Sequence, residues 1–188
     1  MADQIHTRES LENVFWLAVA ACLNLDPDAQ ETQSRIRISW PVESENGSNP
    51  GWGRDEDICF MRITEDITDQ FGRLRDAFWE HDAETDVMTE YIKFTRVHTL
   101  HLIFYGPHSF DDAERVRVWM FREGVRRILR TNRLFPIPHN QRPMRVPELE
   151  GGVWWDRSDI QLTINECVCL EYNWDYINEA RATIPASV

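Results

Sequence analysis

One stretch limits the folds open to this chain. Residues 91–105, YIKFTRVHTLHLIFY, alternate between two faces that are both mostly apolar. His98, Leu100, Leu102 and Phe104 fall on one face, and Val97, Thr99, His101, Ile103 and Tyr105 on the other. A strand of this kind sits in the middle of a sheet with cover on both sides. Gly106-Pro107 ends it.

The flanking segments supply the rest of the pattern. Residues 7–25 predict a helix capped by Thr7 or Ser10, with Glu9 and Glu12 favouring its N-terminal dipole. Leu11, Val14, Phe15, Ala18, Cys22 and Leu25 make its apolar stripe, and its second half is apolar nearly all round. Residues 35–40 alternate strictly and read as a half-buried strand; residues 58–64 read as a second. Residues 65–90 read as an acidic, irregular insertion with a short helix around 69–78. A second helix is expected over 110–131, with Asp111 or Asp112 near its cap. Residues 134–152 are extended and Pro-rich. A last strand spans 157–172, with Ile160, Leu162, Ile164, Val168 and Leu170 inward, and 173–188 form a C-terminal tail.

The order helix, strand, strand, strand, helix, strand predicts an α+β fold. Its expected form is a mostly antiparallel four-stranded sheet packed against two helices, with long loop insertions, in one domain of 188 residues. Two helices cover only one face of such a sheet. The second face is left to the long loops or to a neighbouring subunit.

Charge is divided along the chain. The net charge of -12 opposes broad binding to nucleic acid or anionic membranes. Residues 1–90 hold 7 basic and 20 acidic side chains, whereas residues 107–145 hold 9 basic and 4 acidic. Every basic residue but Lys93 is Arg, the better partner for bidentate contacts with carboxylates. On the second helix, Val118, Phe121, Val125, Ile128 and Leu129 share a face, and Arg115, Arg122, Arg126 and Arg133 share its neighbour. Trp119 lies beside those arginines, as an interface anchor would; the plainer alternative is a Trp packed under a loop. Acidic and basic surfaces on one chain invite head-to-tail contact between copies, which closes into rings when the rotation allows.

No catalytic constellation emerges. A Gly-rich phosphate loop, a nucleophile elbow and His-Glu-x-x-His are all missing from the sequence. His98 and His101 point to opposite faces of one strand. His81, Asp82, Glu84 and Asp86 read as a solvated acidic loop, Glu56 and Asp57 as a carboxylate pair at a strand start, and His108 as a turn or capping residue. Cys22, Cys59, Cys167 and Cys169 lack Cys-x-x-Cys spacing and read as reduced, buried thiols. The longest apolar run, 14–23, is about half a membrane span, and residues 1–6 do not open as a secretory signal. No enzyme activity, cofactor, metal or membrane is expected.

Several stretches together carry a family resemblance. They are residues 91–96 running into Phe104-Tyr105-Gly106-Pro107 and Phe110-Asp111-Asp112-Ala113; Arg145-Val146-Pro147-Glu148-Leu149; Trp154-Trp155-Asp156-Arg157-Ser158-Asp159; and the strand from Ile58 to Ile63. In this order and spacing, across roughly residues 11–171, the chain resembles the neck and tail terminator proteins of tailed bacteriophages. The resemblance implies a structural virion protein made in the host cytoplasm and placed at the head-proximal end of the tail. It implies a hexameric ring that caps the tail tube and meets the head–tail connector, with genome DNA passing through the lumen. It brings no catalytic residues.

The expected inter-subunit residues are Arg115, Trp119, Arg122, Arg126, Arg145, Glu148, Trp154, Trp155, Arg157 and Asp159. Of the tryptophan pair, one is expected in the core and the other at a contact. Arg157 and Asp159 face one way and pair either with a neighbouring subunit or in internal salt bridges. Two other readings stay open at this point. One is a head-completion adaptor between portal and tail; the other is a small acidic hydrolase or ligand-binding domain built on carboxylates near Glu56 and Glu84.

Overall fold

The computed structural model describes residues 5–38, 52–65, 75–85, 87–138, 142–150 and 152–174. Helix α1 runs Arg8–Leu23, with the Thr7 hydroxyl accepting from the Ser10 N–H and Asn24 closing it in the left-handed region (φ 58°). Leu11, Val14, Phe15, Ala18 and Cys22 of its expected stripe are buried, with Val19, Ala20 and Leu23; Leu25 lies beyond the helix end and is half-buried. Trp16 Nε1 donates to the Ile36 carbonyl at 3.1 Å, tying α1 to the first strand.

That strand is shorter than its alternation predicts. Helix α2 (Gln30–Arg35) takes the start of the segment and β1 is only Ile36–Ile38, with the remainder of 35–40 outside the described residues. β2 (Ile58–Glu65) lies parallel to β1 and antiparallel to β4 (Val87–Tyr105). β4 pairs with β9 (Arg157–Trp174) at every position from Met88↔Trp174 to Tyr105↔Arg157. Edge pieces complete the sheet: β3 (Asp76–Asp82) on β4, and β5 (Leu134–Pro136) and β6 (Met144–Arg145) on β9. A separate hairpin joins β7 (Glu148–Glu150) to β8 (Val153–Trp155).

The α+β class therefore holds, but among the described residues the sheet has seven strands and is mixed, in place of the mostly antiparallel four-stranded sheet expected. Residues 75–78, expected in a short helix, lead into or belong to β3, and the rest of that predicted helix lies outside the described residues. β3 escapes a reading by alternation because it is almost wholly exposed and its side chains mark no core face. Asn173 and Trp174 of the expected tail belong to β9, and 175–188 are outside the described residues.

The second predicted helix is two helices, α3 (Ser109–Trp119) and α4 (Glu123–Thr131). Arg122 breaks them with an extended backbone (φ -68°, ψ 143°), and Gly124, a weak helix former, stands in the next turn. The break changes the buried stripe. Ala113, Val116 and Met120 fill the core from α3, and Val125 and Leu129 from α4. Val118, expected on the apolar face, is instead exposed.

α1, α3 and α4 pack on one face of the sheet against Met61, Leu100, Leu102, Phe104, Ile160, Leu162 and Ile164. Burying each such side chain contributes about 1.5–3 kcal/mol. At one end the far face is covered by the chain's own loop and hairpin residues, one of the two expected covers. A small aromatic cluster of Trp52, Phe60, Tyr105 and Trp155, with Ile58 and Ile103, closes one end. Further along, the face turns polar, half-buried at Arg62, Thr64, Thr99, His101 and Thr163 and exposed at Gln161. His101 and Thr64 are bonded there at 2.9 Å.

Two polar clusters join elements of the fold, one buried and one at the surface. Glu166, fully buried in the core-facing row of β9, accepts from the His6 backbone N–H (3.0 Å) and from His98 Nε2 (2.7 Å), with Arg96 Nε at 3.4 Å. Burial alone raises its carboxyl, but these donors and the Arg96 charge outweigh burial and leave it below the usual carboxylate value. At the other end, Asp57 accepts from the backbone N–H and Nδ1 of His108 (both 2.9 Å), while Arg35 binds Asp112 at 2.6 Å. His108 occupies the position before α3, but its side chain makes no hydrogen bond to the helix and binds Asp57 instead.

Candidate functional site

The ten residues singled out by the sequence fall into two groups. The first lies on α3 and α4. Trp119 ends α3, half-buried, with its inner edge packed on the core. Two guanidiniums stack on its ring, Arg122 at 4.8 Å and Arg115 at 5.9 Å. Such contacts hold the indole in place at a cost in mobility that is already met before any partner arrives. Arg126 is exposed one turn further, its N–H donating to the Arg122 carbonyl at 2.9 Å. Trp119 is thus packed on the core along one side and flanked by arginines on its open side.

The second group surrounds the β7–β8 hairpin. Tyr105 Oη donates to Glu148 Oε2 at 2.5 Å, and Arg157 Nη1 reaches the same oxygen at 3.1 Å. Arg157 also grips Asp159 with two hydrogen bonds of 2.8 and 2.7 Å. The pairing of Arg157 with Asp159 is therefore made within one chain. Burial first, then the bond to Glu148, pushes the Tyr105 phenol up, so it stays a donor at any ordinary pH. Arg145 pairs with Asp156 at 3.1 Å across exposed surface, a contact of little energetic weight.

The tryptophan pair divides as its adjacency in a strand requires. Trp155 turns inward onto Trp52, ring centroids 6.0 Å apart in an edge arrangement. Trp154 turns outward and is 61% exposed.

Sequence reasoning missed two features. One is the apolar surface around Val118, which periodicity assigned to the core because the helix break leaves no mark on the spacing. The other is the His98–Glu166 pair. Its signal was available: in the alternation Ile160, Leu162, Ile164, Glu166, Val168, a carboxylate occupies a core-facing position. Among the described residues, no three His, Cys, Asp or Glu side chains are placed to share a metal ion, and no helix is long and apolar enough to cross a membrane. Burial pushes the Cys22 thiol up to about 12, which keeps it protonated.

Comparison with known proteins adds the remaining information. No curated protein matches the sequence. Residues 11–187 match the family described as phage neck terminator protein. That span covers the helical layer, the whole sheet and both candidate groups. It agrees with the resemblance carried by the central strand and by the Arg145–Leu149 and Trp154–Asp159 segments. The chain thus belongs to the phage neck terminator family, a family of structural components of the virion neck and not of enzymes.

Proposed function

We propose that this neck protein assembles as a hexameric ring at the head-proximal end of the tail. There it caps the tail tube, ends tube polymerisation and presents a surface to the head–tail connector, while genome DNA passes through the lumen. Family membership supports contact with other head and tail proteins. The observation that carries the ring is the charge division within one chain: residues 1–90 hold 20 acidic side chains against 7 basic, and residues 107–145 hold 9 basic against 4 acidic. Complementary surfaces at different places on one subunit favour head-to-tail contact, and such contacts close around an axis.

In this reading the 188 residues act as one domain, with the acidic segment 65–90 facing the lumen and the tail 173–188 reaching a neighbour. An acidic wall repels DNA phosphates and so favours passage over retention. Of the ten residues of the candidate site, Arg115, Trp119, Arg122, Arg126, Arg145 and Trp154 contribute inter-subunit contacts, while Glu148, Trp155, Arg157 and Asp159 brace the hairpin within the chain. Negative-stain imaging of the purified protein tests the ring, and six-fold annuli are the expected result. A monomer at every concentration in sedimentation overturns it. A ring map with residues 65–90 on the outer rim overturns the lumen assignment alone.

A further inference from the structure

We infer that copies of this chain join by strand pairing: the outer edge of β3 in one copy adds, in parallel, to the edge of β9 beyond Cys167 in the next. The inference rests on the ring reading and names the backbone contact that would build it.

Away from the helical layer the sheet narrows to three strands. β3 lies on one side of β4, and residues 168–174 of β9 lie on the other. β6 and β5 cover β9 only at Ser158–Asp159 and Ile164–Glu166, and the Cys167 N–H still donates to the Arg133 carbonyl at 3.0 Å. Past that point neither outer edge has a strand beside it among the described residues.

The ladder fixes which backbone groups point outward. Directly opposed residues of an antiparallel pair either both face each other or both face away. Cys167 turns its N–H away from β4, so Cys169 and Asn173, of the same parity, turn theirs to that side as well. Carried across β4, the same rule has Lys93 and Tyr91 bonding to Asp76 and Phe78, and it leaves the backbone groups of Ala77 and Trp79 facing outward. Edges that are meant to stay single are blunted by Pro, Lys, a bulge or scattered charge. Neither 76–82 nor 168–174 contains Pro or Lys. The three carboxylates of β3, Asp76, Glu80 and Asp82, share one face and leave Ala77 and Trp79 on the other.

Direction and parity select the partner. β3 and β9 both run antiparallel to β4, so they run the same way as each other. Rotation about an axis brings β3 of one copy beside β9 of its neighbour in that same direction, which calls for parallel pairing. In a parallel ladder a residue whose backbone groups face the partner strand stands opposite one whose groups face away. Ala77 and Trp79 therefore meet Leu170, Tyr172 or Trp174, which lie on their own face of the sheet. Like faces stay continuous, and Trp79, 59% exposed in the single subunit, gains an aromatic neighbour. Pairing β3 with β3 would instead set its carboxylates against their own copies, whereas residues 168–174 carry one carboxylate, Glu171. Pairing β9 with β9 stops at two copies and leaves β3 bare. Two different edges on each copy meet the requirement for a contact that propagates.

The test is a disulfide scan on the full chain. Trp79, Glu90 and Tyr172 stand in one row with β4 in the middle, so positions 79 and 172 of one chain are two strand spacings, about 9.5 Å, apart. A disulfide needs Cα atoms within about 7 Å, and a bridge from 79 to β9 must therefore join two copies. Trp79→Cys is combined in turn with Leu170→Cys, Tyr172→Cys and Trp174→Cys, and each protein is oxidised with glutathione disulfide. One combination is expected to give a reducible ladder of covalent oligomers, with mass spectrometry locating the bridge between 79 and β9. Ala77→Pro supplies a second measure. The Ala77 N–H points away from β4, so Pro keeps the internal ladder, and a melting curve that matches the parent confirms the fold. In analytical ultracentrifugation this variant is expected to assemble about tenfold more weakly, for the loss of an edge hydrogen bond. A bridge from 79 to 79 overturns the contact in favour of β3 on β3. If the parent forms rings while no combination cross-links and Ala77→Pro assembles as the parent does, the contact is wrong and the ring reading stands. If the parent is monomeric at every concentration, the ring reading falls and this inference with it.

Discussion

Tyr105 Oη and Glu148 Oε2 lie 2.5 Å apart, so the last residue of the central strand holds a hairpin that begins 43 positions later in the chain. Arg157, paired with Tyr105 in the register of β4 and β9, reaches the same carboxylate and lies 5.9 Å over the tyrosine ring. The orientation of the hairpin is thus set from the middle of the sheet by one phenol, one carboxylate and one guanidinium.

Tyr105→Phe removes the phenol and keeps the ring. The expected cost is about 1–1.5 kcal/mol, because Glu148 retains Arg157. Chemical denaturation measures it. Hydrogen exchange at Leu149 and Trp154 is expected to accelerate more than exchange in α1, and an equal acceleration in both would show that the bond does not anchor the hairpin.

Glu166 gives the fold an acid limit. Its folded carboxyl is held below the ordinary 4.5, so its contribution is complete above that value and is lost as the pH falls through the lower folded value. Glu166→Gln is expected to cost about 3 kcal/mol at neutral pH, by removing one partner of a buried set. It should also flatten the loss of stability in the acid range. Urea midpoints across that range, parent against variant, check both parts; parallel curves would contradict the assignment.

The Asp57 carboxylate, through its hydrogen bond and then its charge, holds His108 above the ordinary 6.5. The stability tied to this proton is complete below 6.5 and is lost as the pH rises through the higher folded value. In Asp57→Asn the imidazole is expected to titrate near 6.5 again. The C2 proton of His108 followed by NMR reports it directly, and an unmoved midpoint would remove Asp57 as the cause.

Gly106 is where two demands meet. Its φ is +108°, and a Cβ would stand 2.6 Å from both Asp57 Oδ1 and the Glu56 carbonyl oxygen. Gly106→Ala therefore adds backbone strain of about 1–3 kcal/mol to an overlap with backbone that has no side-chain rotamer to relieve it. A Tm within a degree or two of the parent would mean that the turn before α3 is looser than its geometry implies.

Much of the scaffold was legible because burial imposed a period on it. The α1 stripe and the inward row of β9 are single-faced patterns, and Val97–Tyr105 is a two-faced one. What stayed hidden obeys no such period. β3 is exposed, so the residues from Asp76 to Asp82 carry no alternation that burial requires. The parallel pairing of β1 with β2 is a matter of relative strand direction, which the side-chain period of neither strand encodes. The division of α3 from α4 is invisible because Phe121 and Val125 continue the apolar spacing across it. In the candidate site, the split roles of Trp154 and Trp155 follow from strand alternation alone. The internal grip of Arg157 on Asp159 and Glu148 needed the hairpin in place. An Arg157→Glu variant would set three carboxylates together and destabilise the subunit, so it is a poor probe of assembly.

The unbroken ladder between β4 and β9 has a mechanical consequence. Eighteen successive pairs contain no bulge and therefore no hinge, and at about 3.4 Å per residue β4 is roughly 60 Å long. None of its residues from 87 to 96 is buried, whereas the opposite end is clamped beneath the helices. A stiff strand pair packed under helices at one end and only half-buried at the other would turn a small rocking of the packed end into a larger sweep of its tip. Through it, a disturbance at one end of the subunit would be felt at the other without any rearrangement between them.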